Sequence, residues 1–166
     1  MTKLTNKRDI AYKAMYFGDG NTIWLRPSQC RCVVLIVSSS KSRYKLNAAA
    51  EFAGLEEGAK EQLIRQLEYW RDNPHHTIKQ WYHGWETSKY RECYVLKYKA
   101  HRFYGFLHKP TFNNRYVVWA ITTHGRKHKK DTDLKLLDEV VKIRDDNEIK
   151  LAISKFEGGL GNLIER

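Results

Sequence analysis

Residues 97–130 read KYKAHRFYGFLHKPTFNNRYVVWAITTHGRKHKK, and this stretch decides the fold that we expect. It contains nine Lys or Arg residues and four His residues but no carboxylate. Aromatic and β-branched residues alternate with basic ones in two runs, 94–107 and 116–123, on either side of a Pro- and Asn-containing turn at 109–115. This pattern predicts a β-hairpin. Because successive side chains point to opposite faces of a strand, we expect one face to pack and the other to present cations.

Upstream of this hairpin, the apolar residues predict a strand followed by two helices. The run CVVLIV at 32–37 is β-branched and is followed by three serines, which is typical of a buried strand. Apolar residues at helical spacing over 46–53 predict a short helix that ends at Gly54. A second helix follows, with acidic residues at its start and Pro74 beyond its end. Its apolar stripe consists of Ala59, Leu63, Leu67 and Trp70.

Downstream of the hairpin, the polar residues 131–133 can cap a helix that closes the domain. Its apolar residues are Leu134, Leu137, Val140 and Val141, and the pattern continues through Ile149, Leu151 and Ile153. Turn-forming residues at 18–21 predict a small hairpin or an extension near the start of the chain. We therefore divide the chain into an N-terminal extension (1–31), an α+β domain (32–144) and a C-terminal helical extension or tail (145–166).

Length and charge limit the classes of protein to which the chain can belong. The chain has 166 residues, of which 42% are apolar and 13% aromatic, enough for one domain with its own core. Its formal charge is +11 at pH 7, and its pI is about 9.6. Carboxylates concentrate in 51–72 and 131–148, so the positive charge is spatially sorted, which favours a nucleic acid partner. A basic surface could equally serve solubility or neutralise an acidic protein.

The sequence disfavours metal, disulfide and membrane proteins. Its three cysteines match no zinc or disulfide framework, so we expect a reducing compartment. The first residues are polar and no apolar run reaches the length of a membrane span, so we expect a cytoplasmic protein without a membrane partner. His75, His76 and His83 could ligate zinc or copper, but adjacent histidines rarely chelate one ion together. We expect solvated loop histidines there, and neither a metal nor another cofactor.

Two motifs of the chain resemble the RelE/HigB superfamily of toxin endoribonucleases, especially its phage-type HigB-like branch. The first is YRECYVLKYKAHRFYGFL (90–107), similar to that branch's strand pair with an Arg-aromatic-aromatic pattern. The second is YVVWAITTHGRKHKKDTDLKLLDEVV (116–141), a hydrophobic strand that runs into a Lys-rich segment and a final helix. The resemblance spans about 43–143 and implies a RelE-like α+β fold. In that fold an antiparallel sheet carries a helix pair on one face and a C-terminal helix, and the predicted element order agrees.

The resemblance implies a toxin that cleaves messenger RNA, often on the ribosome, without a metal ion. The ribose 2′-hydroxyl attacks the adjacent phosphate, which requires a base, cations for the phosphorane charge and an acid for the leaving oxygen. The family's basic pair falls on Lys127 and His128, and its middle-strand Arg falls on Arg102. We expect His128 or His124 to transfer the protons, so the candidate catalytic residues are His124, His128, Lys127 and Arg102. An acidic antitoxin would then be a second partner beside RNA. The alternative is a non-catalytic phage- or plasmid-encoded inhibitor that binds RNA, DNA or a host protein through the same surface.

Further cations of the same stretch are expected to hold the RNA backbone. They are Lys97, Lys99, Lys109, Arg115, Arg126, Lys129 and Lys130. Trp81, Trp85 and Trp119 lie among cations and suit base stacking, although aromatic residues pack more often in a core. We expect the imidazoles and cations to share one concave patch. Their placement on unrelated sides of the molecule would remove the basis for a nuclease that uses all of them together.

Overall fold

A computed structural model describes residues 12–16, 31–38, 44, 46–109, 117–127 and 133–154. Within these ranges, strands form one sheet and helices cover it. The strands are β1 (Tyr12–Tyr16), β2 (Arg31–Ser38), β3 (Tyr82–Gly84), β4 (Cys93–Tyr98), β5 (His101–His108) and β6 (Val117–Arg126). The helices are α1 (Ala48–Ala53), α2 (Glu57–Asp72), α3 (Leu134–Asp145) and α4 (147–154). The prediction of an α+β chain is therefore confirmed.

The sheet is mixed, in the order β1-β2-β6-β5-β4-β3. Neighbouring strands pair antiparallel except for β2 and β6, which are parallel. The expectation of an antiparallel sheet is wrong at this pair. A parallel pair requires a crossover connection, and here the chain crosses through α1, α2 and the β3–β5 strands before β6 enters beside β2.

Helices cover both faces of the sheet: the expected helix pair packs on one face, and the C-terminal helices cover the other. Val33, Leu35 and Trp119 pack with α1 and α2, on what we call the α1–α2 face. Val34 and Ala120 pack with α3 and α4, on the α3–α4 face. Because the strand runs CVVLIV and VVWAI are apolar at every position, each face of β2 and β6 must be covered.

The predicted hairpin contains three strands rather than two. Residues 94–107 do not form one run, because Lys99 and Ala100 connect β4 to β5, and Lys99 has a left-handed φ of 51°. The pairing of β5 with β6 is antiparallel as expected, and the turn residues 110–116 lie outside the described residues. The idea of one cationic face is wrong, since the centre of β5 is buried between the two helix layers and its basic residues lie toward its ends.

A β-bulge interrupts the β5–β6 ladder between Tyr104 and Gly105. Thr122, the extra residue on β6, donates its hydroxyl to the Tyr104 carbonyl at 3.4 Å. A Cβ atom on Gly105 would lie 2.0 Å from the Ala120 carbonyl oxygen. Glycine is therefore required here by the close approach of the two backbones.

The predicted helices are confirmed. All four stripe residues of α2 are buried. Asp133 caps α3 by accepting from the backbone N–H groups of Lys135 (3.1 Å) and Leu136 (3.2 Å). The C-terminal pattern is not one continuous helix, because Asp146 ends α3 in an extended conformation and caps α4. Ile149 and Ile153 are buried as expected, but Leu151 is 50% exposed.

Two sequence predictions concern the ends of the chain. Strand β1, within the predicted N-terminal extension, pairs with β2 at the edge of the sheet. The predicted turn at 18–21 and the C-terminal residues after 154 lie outside the described residues. The three-part division of the chain therefore stays a prediction.

Candidate functional site

One end of the sheet gathers most of the predicted cations. Here β4 turns into β5 and β6 ends: Lys97 pairs with Arg102, and His101 pairs with Arg126. The backbone N–H of Lys127 donates to the Ala100 carbonyl at 2.7 Å, which brings the segment after β6 against the turn. We call this end the basic rim, and its cations are Lys97, Lys99, Arg102, Arg126 and Lys127.

On the α3–α4 face of the rim, like charges crowd around His83. Burial and the charges of Lys97, Arg102 and Lys127 lower the pKa of His83 to about 4. Burial and the charges of Arg102 and Lys127 also lower the pKa of Lys97. Groups that depress one another's protonation in this way repel, and a bound anion such as phosphate would relieve the repulsion.

Backbone carbonyls hold the Arg102 guanidinium in place. Its Nη1 donates to the carbonyls of Lys99 at 2.7 Å and His101 at 2.8 Å. Burial lowers the pKa of Arg102. The side chain is thereby positioned over the β4–β5 turn by neutral acceptors, so its charge remains available to an anion.

Aromatic rings adjoin His83 and the cations on this face. Trp85 lies 4.8 Å from the His83 ring and is stacked with Tyr104 at 6.4 Å between ring centroids. Trp81 and Trp85 are partly exposed, whereas Trp119 is fully buried between β-sheet and α2. Trp119 therefore belongs to the core, whereas Trp85 is partly exposed beside His83.

On the α1–α2 face of the rim, two histidines form a direct hydrogen bond. Nδ1 of His101 lies 2.9 Å from Nε2 of His124. On the other side of His124, its Nδ1 lies 3.8 Å from Oε2 of Glu51 in α1. Asn47 fixes the His124 backbone by accepting from its N–H at 2.9 Å and donating to its carbonyl at 3.2 Å.

Both histidines of this pair favour the neutral state. Burial is the largest cause of the lowered pKa of His124, and the charge of Arg126 acts in the same direction. Burial and Arg126 also lower the pKa of His101, while Glu51 raises both values. At neutral pH each ring therefore carries one proton, with one nitrogen as donor and the other as acceptor.

The structure divides the predicted catalytic residues between the two faces. Arg102 and Lys127 lie together on the α3–α4 face, whereas His124 lies on the α1–α2 face. The reason is strand register. His124 pairs with Phe103, whereas Arg102 pairs with Gly125, so the side chains of His124 and Arg102 point to opposite faces of the sheet. The single patch that we expected is therefore two clusters at one rim. His128, Arg115, Lys129 and Lys130 lie outside the described residues, and the catalytic assignments stay predictions.

Lys109 lies at the opposite end of β5 from the rim. Seven residue steps of roughly 3.4 Å place that end roughly 24 Å away. There Lys109 forms an ion pair with Glu92 at 3.1 Å. Both line a cavity of about 210 Å³, with Arg144 and Asp145 as a second ion pair at 2.9 Å. Because carboxylates pair with these cations, Lys109 is a weaker anion ligand than the rim residues are.

Four residues at the rim were not predicted as site residues. His101 was one of four histidines in an acid-free stretch, and only its strand register reveals its pairing with His124. His83 was expected in a solvated loop but lies on β3 against Trp85. Glu51 lies in the first turn of α1, and Asn47 precedes that helix as its N-cap residue. No local pattern connects either residue to β6, and the partner of Asn47 lies 77 residues away.

The remaining sequence expectations concern metals, cysteines and membranes. Among the described residues, no group of three or more His, Cys, Asp or Glu side chains is arranged to hold a metal ion. His75 and His76 are exposed and precede the strand β3, on which His83 lies. Cys32 and Cys93 are buried, and burial raises the pKa of Cys93 to about 11. No helix in the described part of the chain has the length and apolar character needed to cross a bilayer.

Comparison with known proteins finds no matching family model, no matching curated protein and no matching solved structure. The resemblance to the RelE/HigB superfamily thus depends on the two motifs quoted above.

Proposed function

We propose that this protein binds RNA through the basic rim and cleaves it as a metal-independent endoribonuclease of the RelE/HigB toxin type. One observation carries the proposal: five cations and a hydrogen-bonded histidine pair meet at the same end of the sheet. RNA supplies the phosphates that such cations bind, and its 2′-hydroxyl supplies the nucleophile that a neutral imidazole can activate.

The two faces of the rim suit two parts of one RNA strand. Lys97, Arg102 and Lys127 on the α3–α4 face bind backbone phosphates, and Trp85 beside them offers a ring for stacking. Arg126 pairs with His101 across the strands, so its guanidinium is placed to stabilise charge on the phosphate that the 2′-hydroxyl attacks. In this arrangement the RNA strand crosses the basic rim from one face of the sheet to the other.

The test is cleavage of labelled single-stranded mRNA in EDTA, with and without ribosomes. We expect fragments in EDTA from the wild-type protein. Replacing Lys97, Arg102 and Lys127 by Ala should weaken RNA binding at least about tenfold, because three phosphate contacts disappear. The matched control replaces Lys109, Lys142 and Lys150 by Ala, which removes the same charge from residues outside the rim. Equal loss in both variants would contradict the placement of RNA at the rim.

The second candidate function is binding without cleavage, and the separation of His124 from Arg102 and Lys127 favours it. A protein of this kind inhibits by occupying RNA, DNA or a host protein through the rim. It predicts a salt-dependent gel shift with the RNA strand intact after long incubation, with or without ribosomes. Fragments that depend on the wild-type rim would reject this candidate.

The rim also suits an acidic antitoxin, which would compete with RNA for the same cations. We propose that an acidic, partly disordered polypeptide inhibits the protein by covering the rim. An acidic peptide should displace labelled RNA from the wild-type protein. It should bind the Lys97, Arg102 and Lys127 variant more weakly than the variant at Lys109, Lys142 and Lys150, as measured by fluorescence anisotropy.

A further inference from the structure

Three side chains on the α1–α2 face of the rim form a chain whose middle member, His124, is buried. Oε2 of Glu51 lies 3.8 Å from Nδ1 of His124, and Nε2 of His124 lies 2.9 Å from Nδ1 of His101. The His124 side chain is only 6% exposed, whereas Glu51 is 50% exposed and His101 is partly exposed. Of the two histidines, His101 is therefore the one open to a substrate, and its ring nitrogen that does not face His124 is Nε2.

The charge of Glu51 determines where the protons sit along this chain. At 3.8 Å the carboxylate is farther than a hydrogen bond, but its negative charge favours a proton on the facing Nδ1 of His124. A neutral His124 then has its lone pair on Nε2, which accepts the Nδ1–H of His101. A neutral His101 is left with an unprotonated Nε2 on its outer side.

We propose that His101 is the general base of the rim and that Glu51 and His124 are positioning residues that keep its Nε2 unprotonated and directed outward. This inference rests on the proposed function, cleavage of RNA. It assigns proton abstraction to a residue other than His124 or His128, the two histidines that the sequence indicates. His124 is buried and both of its ring nitrogens face protein groups, so it acts through His101.

The proposed step is an intramolecular transesterification of RNA. Nε2 of His101 takes the proton of a ribose 2′-hydroxyl, and the oxygen forms a bond to the adjacent phosphorus. The bond from phosphorus to the 5′-oxygen breaks with its electron pair, and that oxygen takes a proton from water. The water in turn receives the proton held on Nε2 of His101, which regenerates the base. The products are a 2′,3′-cyclic phosphate end and a 5′-hydroxyl end. Arg126, opposite His101 on β6, stabilises the charge of the phosphorane.

The environment of His101 keeps the base available at neutral pH. The charged and titratable groups that act on it are His124 and Arg126 from β6 and Glu51 from α1. Burial and Arg126 lower its pKa below the ordinary value of 6.5, and Glu51 raises it. Cleavage should therefore fall only as the pH drops below the ordinary range of histidine, because protonation then removes the base.

The decisive variant is His101→Asn, because the Asn amide can still donate to His124 Nε2 but has no base at the outer position. We expect cleavage to fall about 100-fold or more, while RNA binding in a gel shift changes little. The matched control is His75→Asn, the same substitution at an exposed histidine outside the rim, which should retain cleavage. Unchanged cleavage by His101→Asn, or an equal loss in both variants, would overturn the assignment and leave the nuclease function intact.

The positioning role of Glu51 has its own readout, the pH profile. Because Glu51 raises the pKa of His101 and His124, Glu51→Gln should move the acid limb of the cleavage profile to lower pH. Glu57→Gln, an exposed carboxylate at the start of α2, should not move it. A Glu51→Gln profile that superimposes on the wild-type profile would overturn the role of the carboxylate.

Nitrogen-15 NMR of the histidine-labelled full chain tests the proton positions without RNA. At pH 7.5 we expect Nδ1–H and an unprotonated Nε2 for both His101 and His124, assigned with the His101→Asn variant. An Nε2–H tautomer of His101 would overturn the inference even if RNA is cleaved. If the wild-type protein binds RNA but never cleaves it, the nuclease function and the general base both fail, whereas the other outcomes affect only the general base.

Discussion

His83 makes the stability of the protein depend on pH. Its pKa of about 4 in the folded state lies below the ordinary 6.5, because of burial and the charges of Lys97, Arg102 and Lys127. Between these two values the unfolded chain binds the proton more strongly, so the free energy of unfolding should decrease as the pH falls from 6.5 to 4. Above 6.5 the residue is neutral in both states and contributes no pH dependence.

Replacing His83 by Gln should remove this part of the pH dependence. We expect the loss of unfolding free energy between pH 7 and pH 4.5 to be smaller by about 1 kcal/mol in the variant, a value reduced for the partial exposure of the ring. Urea denaturation at the two pH values measures the difference. The control is His75→Gln, an exposed histidine outside the cluster, for which the pH dependence should match the wild type.

At the scale of strands and helices, the bulged β5–β6 pairing depends on Gly105. Its Cβ position lies 2.0 Å from the Ala120 carbonyl oxygen and 2.9 Å from the Cα of Ile121, both backbone atoms of β6. Gly105→Ala therefore forces β5 and β6 apart and should lower the free energy of unfolding by roughly 1–3 kcal/mol or more. Because β5 and β6 carry His101 and Arg126, RNA binding should weaken as well.

Gly58→Ala is the matched control for this substitution. No atom lies within 4 Å of a Cβ at Gly58, which is in the first turn of α2. The free energy of unfolding should stay the same or rise by about 0.5–1 kcal/mol, since Ala restricts the unfolded chain and favours helix. Thermal unfolding followed by circular dichroism compares the two variants, and a neutral Gly105→Ala would show that the strands can separate without cost.

Local patterns were sufficient to locate most elements. Helical spacing located α2 and its buried stripe, and the cap residue Asp133 located the start of α3. The break between β4 and β5 was missed because Lys99 and Ala100 are not turn-forming residues, although Lys99 adopts a left-handed φ. The break at Asp146 was missed because the apolar spacing continues across it.

Pairings between distant segments could not be predicted in the same way. The parallel pairing of β2 with β6 and the cover on both faces depend on tertiary packing. The cations of the candidate site were predictable because their charge is concentrated in one acid-free stretch. Their division between two faces depends on the register that sets Phe103 opposite His124, and the sequence alone leaves that register undetermined.

For the whole molecule, the basic rim predicts how RNA affinity depends on salt. With five phosphate contacts on single-stranded RNA, the logarithm of the binding constant should fall with the logarithm of salt concentration with a slope of about −3.5. Lys99→Ala should reduce the magnitude of that slope by about 0.7. Lys109→Ala should leave it unchanged, because this side chain pairs with Glu92 at the far end of β5. Filter binding at several salt concentrations measures the slopes, and equal effects of the two variants would contradict a localised interface.

The parallel pair of β2 and β6 also governs the order in which the protein can fold during synthesis. Strand β6 lies between β2 and β5 in the sheet, yet it is the last described strand to leave the ribosome. Until then β1 and β2 have no third strand to pair with, and β3, β4 and β5 form a separate meander. Native contacts of long sequence separation close late and slowly. A ribosome-bound chain that stops before residue 117 should therefore remain sensitive to protease, and the rim should first assemble after β6 has left the ribosome.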